Sequence, residues 1–228
     1  MDSGHATIEV KGETLHLLPE HAVWWPAGDA VFLGDLHWGK AATFRAAGLP
    51  LPDTEVDTDL GRISAILERT GVSQLVVLGD LLHSRRGRDK RTFAAVTRWR
   101  EQHAETALTL IEGNHDRGAG RPPAEWGFEV VAPGRQMGPF VLQHYPDASP
   151  DGYVLAGHLH PKVTLRGRGG QEAKLPCFWF GEQVGVLPAF GSLIDGGPVS
   201  PATGDAVFVV ADDEVLDVSV KNRVVAVH

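Results

Sequence analysis

The stretch Ala30-Val-Phe-Leu-Gly34-Asp-Leu-His37 decides how this chain is read. A short apolar run, of the kind that forms a buried strand, ends in a glycine, and a metal-binding side chain follows at once. Three further segments repeat the pattern: Leu75-Val-Val-Leu-Gly79-Asp80, Leu108-Thr-Leu-Ile-Glu-Gly113-Asn114 and Tyr153-Val-Leu-Ala-Gly157-His158. A fifth run, Phe140-Val-Leu-Gln-His144, delivers a histidine without the glycine. Buried strands that end in tight turns bearing Asp, Asn or His can bring those side chains to one edge of a sheet. There, ligands distant in sequence can share a metal pair.

Around these runs the text alternates between strand and helix. Strands are expected over 6–10, 14–18 and 30–34, the first two as an antiparallel hairpin. A helix over 54–70 follows, with Asp53 and Thr54 as caps, Leu60, Ile63, Ile66 and Leu67 at helical spacing, and Gly71 as its stop. A strand over 74–78, a helix over 90–104 with Phe93, Val96 and Trp99 in register, and a strand over 107–112 complete a β-α-β-α-β series. That order predicts a parallel sheet with helices against it.

After residue 127 only strands are expected, over 128–131, 139–143, 153–156, 161–165, 175–180, 184–187, 206–210 and 214–219, and mainly antiparallel. One half of βα units and one half of strands are best joined as two sheets face to face. The expected fold class is therefore α/β, with α+β character in the second half: a four-layer α/β/β/α sandwich of two mixed sheets. No linker or low-complexity tract divides the chain, which reads as one domain over 1–228.

Composition narrows the class. With 228 residues, 43% hydrophobic and 22% charged, the chain has the make-up of a globular protein long enough to enclose a two-sheet core. A formal net charge of −8 argues against wholesale nucleic-acid binding by bulk electrostatics, though not against a local basic track, and bound cations would offset it. The single cysteine, Cys177, excludes an intramolecular disulfide and a cysteine-rich zinc site. The segment Met1-Asp-Ser-Gly-His-Ala-Thr7 shows no secretory leader, and no apolar run is long enough to span a membrane. A soluble, cytoplasmic protein is the expectation.

The candidate ligands, in order, are Asp35, His37, Asp80, Asn114, His144, His158 and His160. On an extended tail residues i and i+2 point the same way, so Asp35 with His37, and His158 with His160, are each expected to converge. This mixture of carboxylate, amide and imidazole suits manganese, iron or zinc and is too rich in nitrogen for calcium. Taken singly, each residue reads more readily as a capped turn or a hydrogen-bonded buried histidine. Jointly, at the ends of strands, they read as a site. His5, His16, His21, His103 and His228 lack that context and read as surface or structural residues.

Asp-x-His, Gly-Asp, Gly-Asn-His-Asp, a later His and Gly-His-x-His, in this order across residues 34–160, resemble the calcineurin-like binuclear metallophosphoesterases. The resemblance implies two divalent ions, manganese before iron or zinc. One would be held by Asp35, His37, Asp80 and His160, the other by Asp80, Asn114, His144 and His158. Two ions about 3.5–4 Å apart lower the pKa of a shared water and clamp a phosphoryl group. His115 is then implied as the residue that assists the leaving group, with Asp116 orienting its imidazole.

The flanking text, Gly34-Asp-Leu-His-Trp-Gly-Lys-Ala-Ala-Thr-Phe-Arg45, Ala156-Gly-His-Leu-His-Pro161, Leu175-Pro-Cys-Phe-Trp-Phe180 and Val186-Leu-Pro-Ala-Phe-Gly191, is similar to one bacterial branch of that family. These are the ligase-associated DNA damage response endonucleases, encoded beside an ATP-dependent DNA ligase, a helicase and an exonuclease. The resemblance implies a manganese-dependent phosphodiesterase that nicks single-stranded DNA. Leu193-Ile-Asp-Gly-Gly197 departs from the Phe-Thr-Gly-Gly of the branch, so no threonine contact to substrate carries over.

Substrate contacts are expected from His83, just past Asp80, and from Arg85, Arg86 and Arg88 in the basic run Ser84-Arg-Arg-Gly-Arg-Asp-Lys-Arg91, with Lys40 and Arg45 on the same surface. The alternative for that run is a solvated helix start, although cations there oppose the helix dipole. Trp38 reads as core rather than as a base-stacking residue. Two competing functions stand beside the nuclease: a phosphatase or pyrophosphohydrolase for a small phosphoester, and an interaction scaffold without catalysis.

Overall fold

In the computed structural model, which describes residues 4–52, 54–167 and 169–219, the chain opens with four strands in antiparallel sequence. These are β1 (Ala6–Val10), β2 (Glu13–Leu18), β3 (Ala22–Trp25) and β4 (Ala30–Leu33). Helices α1 (Lys40–Ala46) and α2 (Glu55–Thr70) lead to β5 (Gln74–Val77). Helix α3 (Lys90–Gln102) leads to β6 (Ala107–Ile111), and α4 (Asn114–Ala119) to β7 (Phe128–Val131). From β4 to β7 the pairing is parallel, because each link crosses over the sheet, and the first sheet runs in the order β1-β2-β3-β4-β5-β6-β7.

The second half supplies β8 (Arg135–Met137), β9 (Phe140–Leu142), β10 (Tyr153–Ala156), β11 (Pro161–Arg166), β12 (Glu172–Phe180) and β13 (Val184–Val186). It ends with β14 (Gly197–Pro198), β15 (Ala206–Ala211) and β16 (Glu214–Asp217). They form a second sheet, ordered β14-β11-β12-β13-β10-β9-β8, with β15 against β12 and β16 against β15. Most of its pairs are antiparallel, as the sequence implies, but β10 pairs in parallel with β9 and β13, and β11 with β14. The carboxyl ends of β9 and β10 therefore face the same way.

The period-two alternation of the strands sorts their side chains onto two cores. Phe32, Val76 and Ile111 point from the first sheet toward Phe140, Leu155 and Phe178 of the second. Their neighbours Val31, Leu33, Val77 and Leu110 point outward, under Ile63 and Ile66 of α2 and Val96 and Trp99 of α3. Each buried phenylalanine contributes about 1.5–3 kcal/mol by leaving water. Among the described residues the helices all precede residue 127. The outer face of the second sheet carries smaller clusters, one of Val141, Val154 and Ala156, another around Cys177, Val207 and Val209.

Helix ends follow the local chemistry. Gly71 takes the left-handed conformation that closes α2, donating its N–H to Leu67. Thr54 sits at the N-cap of α2 without a side-chain bond, and Asp53 and His228 lie outside the described residues. Asp89 caps α3 by accepting from the amides of Arg91 and Thr92, which offsets the cations in that first turn. The two sheets are stitched at one edge. Phe190 and Gly191, in the loop after β13, donate to the carbonyls of Gly34 and Asp35 at 2.9 and 3.1 Å. Strands β4, β5, β6, β9 and β10 all deliver their C-terminal residues there, where open α/β sheets hold ligands.

Candidate metal centre

The turns that follow these strands are strained. Among the described residues nine non-glycine residues have positive φ, and five of them are Asp35, His37, Asp80, His158 and His160. Each such residue costs on the order of 1–3 kcal/mol and persists only where the surroundings impose it. Asp35/His37 and His158/His160 therefore do not lie on extended tails, as the i, i+2 argument supposed. The backbone is bent at each residue, and that bend turns both side chains of a pair inward.

The glycines before the ligands are required by close approach. Gly79 has φ +92°, and a Cβ there would run into the ring of His144. A Cβ on Gly157 would strike the carboxylate of Asp35. Removing the side chain lets the ligand of the neighbouring loop pass over the main chain.

Hydrogen bonds then fix the ligand atoms. Asp35 accepts from the amide of His158 at 2.8 Å, and Asp80 from the amide of His115 at 2.8 Å, so each carboxylate keeps one oxygen for the cavity. His144 is held through Nδ1 by the carbonyl of Leu78 at 3.0 Å, leaving Nε2 to face Asn114 Oδ1 at 2.9 Å and His158 Nδ1 at 3.1 Å. His160 is held through Nδ1 by the carbonyl of Asp195 at 3.3 Å. Backbone carbonyls on the far ring nitrogen are the usual way to aim a ligating imidazole.

Two nests result. In one, Asp35, His37 and His160 offer ligand atoms that all lie within 4.8 Å of one another, with His37 Nε2 3.6 Å from Asp80 Oδ2. In the other, His144 Nε2 is 3.5 Å from the same Asp80 oxygen and faces Asn114 and His158. Asp80 stands between them. The donor set fits divalent cations on a direct test. Asp35 Oδ1 and His160 Nε2 are buried, 3.3 Å apart, and neither makes a hydrogen bond. An orphaned buried pair of this kind is costly unless a cation satisfies both atoms.

Electrostatics favour the unprotonated imidazoles that a metal requires. Burial pushes His37 down to about 2, helped by the nearby His115, His160, His83 and Lys40. Burial, then His144, lowers His158. His160 is the exception: burial opposes its proton, but Asp35 outweighs it and the pKa rises. Burial raises the pKa of Asp80, against the opposing pull of His144 and the amide of His115.

His115 leans over the first nest, its ring 4.6 Å from that of His37 and perpendicular to it. The expectation for Asp116 does not hold. Its carboxylate accepts from the amides of Asp80, Gly113 and Leu82 at 2.8, 3.0 and 3.3 Å. The partner of His115 is instead the carbonyl of His83, 2.7 Å from Nδ1. Asp116, in the first turn of α4, thus ties three loops of the site together.

His83 stacks on His115 with ring centroids 5.1 Å apart, and burial lowers its pKa to about 4. Of the basic residues, Arg85 and Arg86 are exposed and Lys40 lies close enough to His83 and His37 to depress both. Arg85, Arg88 and Arg45 also engage backbone, Arg85 donating to the carbonyl of Gly118 at 3.1 Å. Arg88 donates to the carbonyls of Ala119, Gly120 and Arg121, and Arg45 to those of Leu51 and Pro52. Trp38 is buried against Trp126, and His21 and His103 are structural, bonded to Ala189 and Ser64.

Two features escape the sequence reading. Tyr145 is 37% exposed and its ring lies 4.4 Å from that of His158; its place directly after His144 was the available signal. Lys162 and Asp195 pair beside His160, and no pattern in the sequence links them.

The crystal structure of Pseudomonas putida nuclease MPE superposes with a TM-score of 0.82 at 39% sequence identity, covering 94% of this chain and 100% of that one. That of Yfce, a phosphoesterase from E. coli, gives a TM-score of 0.43 at 15% identity over 82% of this chain and 95% of that one, too slight a likeness to add weight. No protein-family model matches, and no curated protein does. With that identity spanning the whole length of the Pseudomonas nuclease, this chain belongs to the calcineurin-like metallophosphoesterases.

Proposed function

We propose that the protein is a metal-dependent phosphodiesterase that cuts DNA internally, with single-stranded DNA as substrate and DNA repair as its setting. The observation that carries the reading is the double nest in which Asp80 Oδ2 lies 3.6 Å from His37 and 3.5 Å from His144. Asp35, His37, Asp80 and His160 would hold one ion, and Asp80, Asn114, His144 and His158 the other, with manganese the first candidate and iron or zinc next. Two such ions supply an acidified water and positive charge for the phosphoryl oxygens.

The rest falls to side chains. With Nδ1 on the carbonyl of His83, His115 has Nε2 left to hold a proton at the departing oxygen. Lys40, Arg85 and Arg86 offer charge to the flanking backbone, and the exposed ring of Tyr145 offers a face on which a base can stack. His83 lines the same wall. A single strand suits the site because Asp35, Asp80 and His144 are at most 2% exposed. A flexible strand can bend a phosphate down to them, where a stiff duplex must first be deformed.

The 39% identity to a protein described as a nuclease supports a diester over a monoester substrate. A cytoplasmic location and association with an ATP-dependent DNA ligase, a helicase and an exonuclease belong to the same proposal. The test is cleavage of circular single-stranded DNA, circular duplex, a bis-aryl phosphate and an aryl monophosphate by stripped protein with each cation restored. Nicking of the single-stranded circle and turnover of the diester are expected. Monoester turnover without diester cleavage would replace this reading with a phosphatase.

A further inference from the structure

On the far side of His160 from the metal nests lies a cleft of about 120 Å³, lined by His21, Arg62, His160, Lys162, Phe190 and Ser192 among others. It shares a wall with the metal centre. His160 faces Asp35 through Nε2 at 3.3 Å and the carbonyl of Asp195 through Nδ1 at 3.3 Å, so the cleft begins one imidazole away from the ligand cluster. Lys162 follows His160 by two residues at the start of β11, and its ammonium pairs with the Asp195 carboxylate.

That pair is unequal. The side chain of Asp195 is 90% exposed and that of Lys162 only 25%. The lysine is fixed in the wall of the cleft, whereas the carboxylate reaches it from the solvent side and is easily exchanged for another anion. Lys40 also feels the charge of Asp195, and Arg62 in the cleft wall is anchored by the carbonyls of Glu20 and Phe190 with its guanidinium 4.1 Å above the Phe190 ring. A cation covered by a displaceable carboxylate, one ring from the site of cleavage, is where a polyanion leaving that site would next find a partner.

We propose that this cleft seats the phosphate adjacent to the one being cut, with Lys162 as its cation and Asp195 as the carboxylate that covers the cation until the phosphate replaces it. The proposal rests on the phosphodiesterase reading and adds a subsite to it. Asp195 becomes a specificity-determining residue: it weakens the hold on polyanionic chains and is neutral toward a substrate with a single phosphate. A purely structural clamp makes the opposite demand, since breaking a clamp from either side has the same effect.

The sign of two variants separates these cases. Asp195→Asn keeps an acceptor for the amide of Gly196, now 2.9 Å from Asp195 Oδ1, and leaves the carbonyl on His160 in place. In full-length protein with manganese restored, kcat/KM for a single-stranded oligonucleotide is measured as a ratio to that for a bis-aryl phosphate. Asp195→Asn is expected to raise the ratio about fivefold and Lys162→Met to lower it about fivefold. Lys162→Met is also expected to reduce the salt dependence of oligonucleotide binding by about one contact. Ratios that move in the same direction, or do not move, overturn the subsite. If the parent protein cleaves neither substrate, the phosphodiesterase reading fails. The subsite is then judged from oligonucleotide Kd by fluorescence anisotropy, where opposite shifts support it and equal values overturn it.

Discussion

His115 is fastened by its Nδ1 to the main-chain oxygen of His83, 2.7 Å away, and the two rings stack at 5.1 Å. The imidazole is thus aimed by backbone rather than by a carboxylate, over the His37 ring at 4.6 Å. Replacing His115 by Ala is expected to retain the bound ions and slow cleavage roughly 10²–10⁴-fold, most for poor leaving groups. Metal analysis alongside rates on a series of aryl diesters checks this. Release of the ions would make His115 a ligand.

Asp116 serves the same region in another way. Its carboxylate satisfies the amides of Asp80, Gly113 and Leu82, and each buried amide left unpaired costs about 1–3 kcal/mol. Asp116→Ala is expected to lower unfolding free energy by on the order of 3 kcal/mol and to slow good and poor leaving groups alike. Denaturant titration and the same diester series report both. Native stability with a leaving-group effect like that of His115→Ala would restore a direct partnership between the two residues.

Asp80 is the side chain common to both nests. Asp80→Ala is expected to lose both ions and all diester cleavage, because neither cation keeps a complete set of donors. Elemental analysis after dialysis against manganese measures it. Two retained ions would show that the nests do not share this carboxylate.

His21 gives the fold a pH dependence of its own. Burial pushes its pKa from 6.5 down to about 4, despite the carbonyl of Ala189. The unfolded chain therefore takes up a proton that the folded chain refuses. Stability from this residue is present above about pH 6.5 and falls as pH drops to about 4, by about 3 kcal/mol in total. His21→Asn is expected to flatten that part of the stability curve in denaturant titrations between pH 7 and pH 4.5. An unchanged slope would show that His21 titrates freely.

The strand-glycine-ligand pattern was legible because it couples two local signals, apolar runs and turn glycines, that survive in one dimension. Helix α2 was legible for the same reason, from Leu60, Ile63, Ile66 and Leu67 to Gly71. Helix α4 was not: Asn114-His-Asp-Arg-Gly-Ala119 has poor helix formers and coils because Asp116 binds the amide of Gly113. Strand β3 is four residues long and closed by Pro26, too short for periodicity to register. The left-handed backbone of Asp35, His37, Asp80, His158 and His160 is imposed by tertiary contacts, which no residue type announces. The bonds of Asp116 to Asp80 and Leu82, and the Lys162–Asp195 pair, join residues more than 30 positions apart, so spacing carried no trace of them.

The central claim is tested most directly by titrating manganese into metal-free protein by calorimetry while following bis-aryl phosphate cleavage in the same buffer. Two ions per chain are expected, with activity rising as the second site fills. Full diester turnover in the presence of a chelator, or a stoichiometry that stays below two at saturation, would contradict it.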